Sequence, residues 1–123
     1  MTDEGRELLR AAREVRIETS RGAGAPAHRT IIWVVVDDAD RVLVRTYLGP
    51  DSRWYREALS AGRVRLLAGE RAVDFTVERA TDPDRVRSCS DGLRAKYRRN
   101  ASLDAMLRDE VLDTTLELHP AHD

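Results

Sequence analysis

Apolar residues recur along the chain with two different spacings, which separate predicted helices from predicted strands. A narrow apolar face predicts a helix over residues 3–13, and alternation of apolar and polar side chains predicts a half-buried strand over residues 14–19. The run Thr30–Val36 is apolar on both faces and rich in β-branched side chains. Such a run is typical of a strand that is covered on both sides, so we expect this one to be central.

The rest of the chain continues the alternation of strands and short helices. The turn residues Asp37–Asp40 predict a hairpin between Thr30–Val36 and Arg41–Tyr47. The later predicted elements are a helix from about Ser52 to Ala61, strands at Arg63–Leu67 and Arg71–Arg79, a helix that starts at Pro83 and includes Tyr97, a helix at Ser102–Val111 and a strand at Thr114–Leu118.

This order of elements predicts a mainly β protein of the α+β class. About six strands, mostly antiparallel, with short helices between them suit a small barrel whose openings the helices cover. A length of 123 residues without a long linker fits one domain over residues 1–123.

Composition narrows the class of partner and the compartment. Charged residues make up 35% of the chain, but 21 Lys and Arg nearly balance 22 Asp and Glu, so no net field favours nucleic acid or an anionic membrane. Cys89 is the single cysteine, which excludes an internal disulfide and indicates a reducing compartment. With neither a signal peptide nor a long apolar run, we expect a cytoplasmic protein that does not cross a membrane.

Basic and hydroxyl side chains gather at the predicted ends of the first hairpin and at the start of the following helix. Guanidinium groups, hydroxyls and the unpaired N–H groups of a helix start are donors that a phosphate prefers. The residues concerned are Arg29, Thr30, Arg45, Thr46, Ser52 and Arg53. The sequence therefore predicts an anion site, with surface ion pairing of the same arginines as the alternative.

Three aromatic residues lie in the same segments. Trp33 belongs to the central strand, Tyr47 shares a strand face with Arg45, and Trp54 lies on the following helix. Each could stack on a planar ligand ring, and each has a structural alternative in core packing or in a cross-strand pair.

Sequence motifs for other chemistries are missing. His28, His119 and His122 do not have the spacing of metal ligands, so no metal site is predicted. The chain contains no GxSxG elbow, no P-loop and no GxGxxG after a strand. The sequence identifies no catalytic residue.

Three segments of the chain resemble a known superfamily. The hairpin RTIIWVVVDDADRVLVRT, the segment GPDSRWYREALSAGRVRLLAGERAVDFTVE and the helix segment LRAKYRR are similar to the split β-barrel flavin-binding proteins related to pyridoxamine 5'-phosphate oxidase. Within that superfamily, the chain resembles the deazaflavin-dependent nitroreductase-like proteins and a neighbouring small family of unknown function. The resemblance spans about residues 14 to 118.

The resemblance implies a homodimeric, six-stranded antiparallel split β-barrel that holds FMN or a deazaflavin in a groove near the subunit interface. It implies contacts to the cofactor's phosphate and ring from Arg29, Thr30, Arg45, Thr46, Ser52 and Arg53. We expect Trp33, Tyr47 and Trp54 to line or support the ring pocket. Because the loop between Arg21 and Ala27 lacks the basic residues frequent in the deazaflavin branch, FMN is the first expectation and a deazaflavin is the alternative.

We therefore expect an FMN-dependent oxidoreductase that transfers hydride to or from a small organic substrate. Two alternatives stay open. One is a deazaflavin-dependent reductase, and the other is a non-redox protein that binds a small molecule or cofactor, or a cofactor-free enzyme that uses the barrel pocket.

Overall fold

The computed structural model describes residues 1–121, which form five helices and seven strands. The helices are α1 (Asp3–Ala11), α2 (Arg53–Ala61), α3 (Pro83–Tyr97), α4 (Leu103–Leu107) and α5 (Asp109–Leu112). The strands are β1 (Val15–Thr19), β2 (His28–Ile32), β3 (Val35–Val36), β4 (Val42–Val44), β5 (Arg63–Ala68), β6 (Arg71–Arg79) and β7 (Leu116–Pro120). Within residues 1–121, no helix has both the length and the apolar character needed to span a bilayer.

The strands form one curled antiparallel sheet in the order β2-β1-β5-β6-β7-β4-β3. The two edge strands, β2 and β3, are consecutive in sequence, and only Trp33 and Val34 lie between them. A chain extends by at most about 3.5 Å per residue. A link of two residues therefore forces the two edges of the sheet together. The result is an α+β half-barrel, which confirms the predicted barrel class.

The predicted count of six strands and the predicted central position of the strand Thr30–Val36 are both wrong, because this segment forms two strands that lie at the two edges of the sheet. The first part extends back to His28 and pairs with β1, whereas the second part pairs with β4 at the opposite edge. At the break, the Val34 carbonyl accepts a hydrogen bond from Lys96 Nζ at 2.8 Å. A side chain of α3 thus replaces a strand neighbour at this point.

Two boundaries near the C-terminus also differ from the prediction. The predicted helix Ser102–Val111 is divided at Arg108, whose extended backbone separates α4 from α5. The closing strand starts at Leu116, because the hydroxyls of Thr114 and Thr115 donate to carbonyls of α5 at 2.6 and 2.7 Å. These threonines therefore end a helix instead of opening a strand.

Apolar side chains form two clusters, one inside the half-barrel and one beneath α3. Strand β4 separates them, since Val42 and Val44 belong to the inner cluster and Leu43 belongs to the cluster beneath α3. Trp54 of α2 packs into the inner cluster, and Tyr97 packs into the other. Both faces of β4 are covered, which explains its unbroken apolar run.

Gly92 lies where α3 packs on β3, and its lack of a side chain permits the contact. A Cβ atom at this position would overlap Cγ1 of Val35, which is buried. We expect Gly92→Ala to lower the free energy of unfolding by about 1–2 kcal/mol, because the steric cost exceeds the gain in helix propensity. Thermal and urea unfolding measure this change.

Gly22→Ala is the matched control for that substitution. A Cβ atom at Gly22 would have no neighbour within 4 Å, and the backbone there does not have a positive φ. We expect its stability to stay equal to that of the wild type or to rise by up to about 1 kcal/mol. Equal effects of the two substitutions would show that α3 and β3 are not in close contact.

Candidate functional site

A cleft of about 450 Å³ opens where the chain crosses from β2 to β3. Three segments of the chain converge there: residues 30–33, residues 45–48 after β4, and Trp54 in the first turn of α2. The segment between α3 and α4 contributes Asn100 and Ser102, and α4 contributes Met106. The volume lies within the range of roughly 300–1,000 Å³ that is usual for small-molecule pockets.

A pair of stacked aromatic rings forms one wall of the cleft. The rings of Trp33 and Tyr97 are 4.0 Å apart between centroids and 5° from parallel. The Tyr97 hydroxyl donates to the Arg13 carbonyl at 2.8 Å, and the Arg13 guanidinium lies 5.2 Å from the Tyr97 ring centroid. Tyr97 is 1% exposed, whereas Trp33 is half-buried and lines the cleft. The cleft therefore has a flat aromatic wall whose position is fixed from behind.

Lys96 of α3 links the backbone beside the aromatic wall to α1. Its Nζ donates to the carbonyls of Leu9 and Val34 at 3.0 and 2.8 Å, and lies 5.4 Å from the Tyr97 ring centroid. Burial lowers the pKa of Lys96 to about 8. The strand break beside Trp33 is thus fixed by side chains of α3.

The polar and apolar groups on the cleft surface are arranged around this wall. The Thr30 hydroxyl makes no hydrogen bond with residues 1–121, so it remains available to a ligand. Thr46 is buried, and its Oγ1 accepts from the backbone N–H of Leu48 at 3.2 Å. Ile31, Tyr47 and Leu48 are 58%, 55% and 64% exposed, and they form an apolar rim.

Arg45 lies at the base of the cleft with its guanidinium turned into the protein. It is 1% exposed and donates four hydrogen bonds. The acceptors are Thr115 Oγ1 at 2.9 Å, Ser90 Oγ at 3.0 Å, the Met106 carbonyl at 2.9 Å and the Val86 carbonyl at 3.1 Å. No carboxylate among residues 1–121 pairs with it, and burial lowers its pKa from the usual value. Arg45 therefore joins β4 to α3, to α4 and to the turn between α5 and β7.

Six of the nine sequence-predicted residues lie along this cleft: Thr30, Trp33, Arg45, Thr46, Tyr47 and Trp54. The other three lie elsewhere. Arg29 is on the opposite side of β2 from Thr30, with its Nε 3.5 Å from Glu18 Oε1. Ser52 occupies the N-cap position of α2, and its buried Oγ has no hydrogen-bond partner among residues 1–121. Arg53 lines a separate hollow.

Sequence reasoning missed the contribution of the segment after α3. Asn100, Ser102 and Met106 reach the cleft through the fold alone, and their local sequence carries no motif. For Tyr97, the sequence predicts only a position in the helix that starts at Pro83. Its place behind Trp33 depends on the break between β2 and β3, which the apolar pattern conceals.

Side chains of metal-ligand type come together away from the cleft. Within residues 1–121, Glu78, Glu117 and His119 place ligand atoms within 4.8 Å of one another. Arg85 Nη1 lies 2.8 Å from an oxygen of each carboxylate. The Arg85 guanidinium therefore already supplies a positive charge beside these two carboxylates. His122, considered with the other histidines above, lies outside the described residues.

The half-barrel fold of this chain is shared with proteins of known structure. Three solved structures illustrate this. The FAD-binding protein from Mycobacterium smegmatis is 16% identical, with a TM-score of 0.62 over 99% of this chain and 91% of that one. An F420-H2-dependent reductase (FDR-A) is 13% identical, with a TM-score of 0.62 over 87% of this chain and 94% of that one.

The third structure is HutZ, the heme storage protein from Vibrio cholerae. It is 11% identical, with a TM-score of 0.65 over 98% of this chain and 89% of that one. Against another solved structure, this chain spans 54% of the other chain's length. At these identities the likeness shows the fold alone.

Sequence assigns the chain to a particular family. Residues 7–118 match the family described as "uncharacterized protein conserved in bacteria" (DUF2255), and the chain belongs to it. No curated protein has a significant sequence match. The resemblance drawn from the hairpin and helix segments is confirmed at the level of the fold.

Proposed function

We propose that the cleft binds a flavin-type cofactor, with FMN as the first candidate and a deazaflavin as the alternative. The observation that carries this proposal is the flat wall formed by Trp33 on Tyr97 in a cleft of about 450 Å³. A planar tricyclic ring stacks on such a wall, and Thr30 offers a hydroxyl for hydrogen bonding at its edge. The similar structures include an FAD-binding protein and an F420-H2-dependent reductase, which supports the same class of ligand.

With the cofactor bound, we propose that the protein is an oxidoreductase that moves hydride to or from a small organic substrate. The flavin would supply the redox chemistry, and the chain would bind the ring, orient it and exclude water. Trp33 would stack on the ring, while Tyr47 and Leu48 would cover it from the rim. No side chain is nominated as a general acid or base.

Contacts to the cofactor's phosphate remain part of the proposal. The three arginines predicted to make them differ in the number of hydrogen bonds and ion pairs that they already form within the protein. Arg45 already donates four hydrogen bonds inside the protein, and Arg29 pairs with Glu18. Arg53 has no hydrogen bond or ion pair with residues 1–121. Of the three, Arg53 is therefore the strongest candidate for the phosphate.

The exposed rim of the cleft supports the proposal of a homodimer. Ile31, Tyr47 and Leu48 lie together and are more than half exposed, although large apolar side chains are usually covered. A second copy of the chain, placed over the rim, would cover them and complete the cleft. We propose a cytoplasmic homodimer as the active form.

Heme is a weaker candidate for this cleft. HutZ is a heme storage protein, so the fold permits that ligand. Within residues 1–121, however, neither His28 nor His119 lines the cleft, and histidine is the commonest axial ligand of heme iron. A non-redox role for the cleft stays the main alternative, and reduction of the bound flavin by a nicotinamide donor distinguishes the two.

Substitution of Thr30 and Trp33 tests the proposal. We expect Thr30→Val to weaken FMN binding by about 2- to 10-fold, because it removes one hydrogen bond without changing the side-chain shape. Trp33→Leu should weaken it by a similar or larger factor through loss of stacking. Titration of FMN, followed by protein fluorescence and by flavin absorbance, measures both.

Thr76→Val is the matched control, since Thr76 is exposed on β6 and does not line the cleft. Its FMN affinity should equal that of the wild type. If Thr30→Val and Thr76→Val bind FMN equally well, Thr30 does not contact the cofactor. If Trp33→Leu also has no effect, the flavin does not bind in this cleft.

A further inference from the structure

A second hollow, of about 520 Å³, lies between the loop that joins β1 to β2 and the outer side of α2. Its charged and ionisable lining consists of Arg21 from the loop, His28 at the start of β2, and Arg53, Arg56 and Glu57 from α2. Three arginines against one glutamate leave a formal charge of +2 with His28 neutral. The whole chain carries −1, so this concentration of positive charge is local.

The three arginines of the hollow make no direct polar contact with the protein, although the charge of Arg53 helps to lower the pKa of Glu57. Arg21, Arg53 and Arg56 are exposed, and none makes a hydrogen bond or an ion pair with residues 1–121. Nearby arginines on the sheet behave differently, because Arg29 and Arg65 both lie within ion-pairing distance of Glu18. The hollow thus gathers guanidinium groups that form no hydrogen bond or ion pair with residues 1–121.

Glu57 offsets part of the charge on Arg53, but its carboxylate makes its direct contacts with Thr19 and His28. It is 6% exposed, and it accepts from Thr19 Oγ1 at 2.8 Å and lies 3.2 Å from His28 Nδ1. Burial acts to raise the pKa of Glu57, but the hydrogen bonds from Thr19 and His28 outweigh it and hold the pKa below the usual value. The carboxylate therefore stays ionised and fixes the imidazole, whose Nε2 has no partner among residues 1–121.

The position of the arginines on α2 is unfavourable without an anion. The N-terminal end of a helix carries partial positive charge, so acidic side chains are preferred in its first turn. The first turn of α2 contains no acidic residue, and Arg53 and Arg56 are its first and fourth residues. A bound anion would offset both the helix dipole and the guanidinium charges.

We propose that this hollow binds an oxyanion, either a phosphate or a carboxylate group, held by Arg21, Arg53 and Arg56 and contacted by His28 Nε2. The hollow adjoins the cleft, because His28 precedes Thr30 on one strand and Arg53 precedes Trp54 on α2. The oxyanion could therefore belong to a ligand of the cleft or to a free anionic metabolite. If the oxyanion is the phosphate of FMN, the inference rests on the proposed function, whereas a free anion would bind without the flavin.

Calorimetric titration with pyrophosphate tests the proposal directly, at about 0.15 M salt to screen non-specific attraction. We expect saturable binding of one pyrophosphate per chain to the wild type. The double variant Arg53→Ala/Arg56→Ala should bind at least about tenfold more weakly, because two charge-assisted contacts are lost. Both positions are exposed, so circular dichroism should show an unchanged fold.

Arg87→Ala is the matched control, because Arg87 is an exposed and unpartnered arginine of α3 outside the hollow. It should bind pyrophosphate as the wild type does. Absence of saturable binding to the wild type would overturn the proposal. So would an equal loss of affinity in Arg87→Ala and in the double variant, which would indicate a general charge effect.

FMN and riboflavin distinguish the two sources of the oxyanion. If the hollow takes the cofactor's phosphate, the double variant weakens FMN binding and not riboflavin binding, and pyrophosphate competes with FMN. If it takes a free anion, pyrophosphate binds equally well with FMN present. If neither flavin binds, the proposed cofactor is wrong, while pyrophosphate binding still decides the proposal on the hollow.

Discussion

Replacing Arg45 with alanine is expected to lower the free energy of unfolding by about 3–5 kcal/mol. The guanidinium joins β4 to three other parts of the fold through four hydrogen bonds. Because the Arg45 side chain is 1% exposed, water cannot take its place as the donor to these four acceptors. Its removal leaves two carbonyls and two hydroxyls without that donor, and it opens a cavity. Urea unfolding followed by circular dichroism measures the change.

Two further variants make the Arg45 prediction specific. Arg45→Lys keeps the charge but has one nitrogen for four acceptors, so its stability should lie between those of the wild type and Arg45→Ala. Arg53→Ala removes an exposed guanidinium without partners and should change stability by no more than about 0.5 kcal/mol. A stability of Arg45→Ala close to the wild type would mean that the four hydrogen bonds do not hold the fold.

Replacing Tyr97 with leucine is expected to affect both stability and ligand binding. Tyr97 is almost fully buried, supports Trp33 from behind and satisfies the Arg13 carbonyl at 2.8 Å. We expect Tyr97→Leu to lower the free energy of unfolding by about 2–4 kcal/mol, through the smaller side chain and the unsatisfied carbonyl. FMN affinity should also fall by up to about tenfold, since the indole loses its stacking partner.

Tyr97→Phe separates these two effects, because it keeps the ring and removes only the hydroxyl. Its stability should fall by about 1 kcal/mol, the usual value of one hydrogen bond. Its FMN affinity should stay within about twofold of the wild type, because the stacked pair remains. If the Tyr97→Phe and Tyr97→Leu variants bind FMN equally well, the ring of Tyr97 does not position Trp33.

The apolar patterns predicted most of the secondary structure and the barrel class, because period-two alternation reports burial directly. They could not reveal the break at Trp33 and Val34. A run that is apolar on both faces has the same sequence pattern in two cases. It can form one continuous strand, or it can form two strands that pair at opposite edges of the sheet. The change depends on sheet curvature and on Lys96 of α3, which are both tertiary features.

The chain segments that form the cleft could be predicted from the sequence. The orientation of the arginine side chains in these segments could not. Strand ends and a helix start pointed to segments that meet at one cleft, which Thr30, Trp33 and Trp54 line. Side-chain direction is set by packing, and sequence gives no sign that Arg45 turns inward or that Arg29 pairs with Glu18. Basic character alone therefore could not say which arginine is free to hold an anion.

The most direct test of the proposed function is an absorbance titration of FMN with the purified protein. Stacking on Trp33 predicts a saturable change in the flavin spectrum, with a dissociation constant in the low micromolar range or below, about −8 kcal/mol in free energy. A deazaflavin should bind more weakly if FMN is the cofactor. If neither compound gives a saturable change, the cleft does not hold a flavin and the oxidoreductase proposal fails.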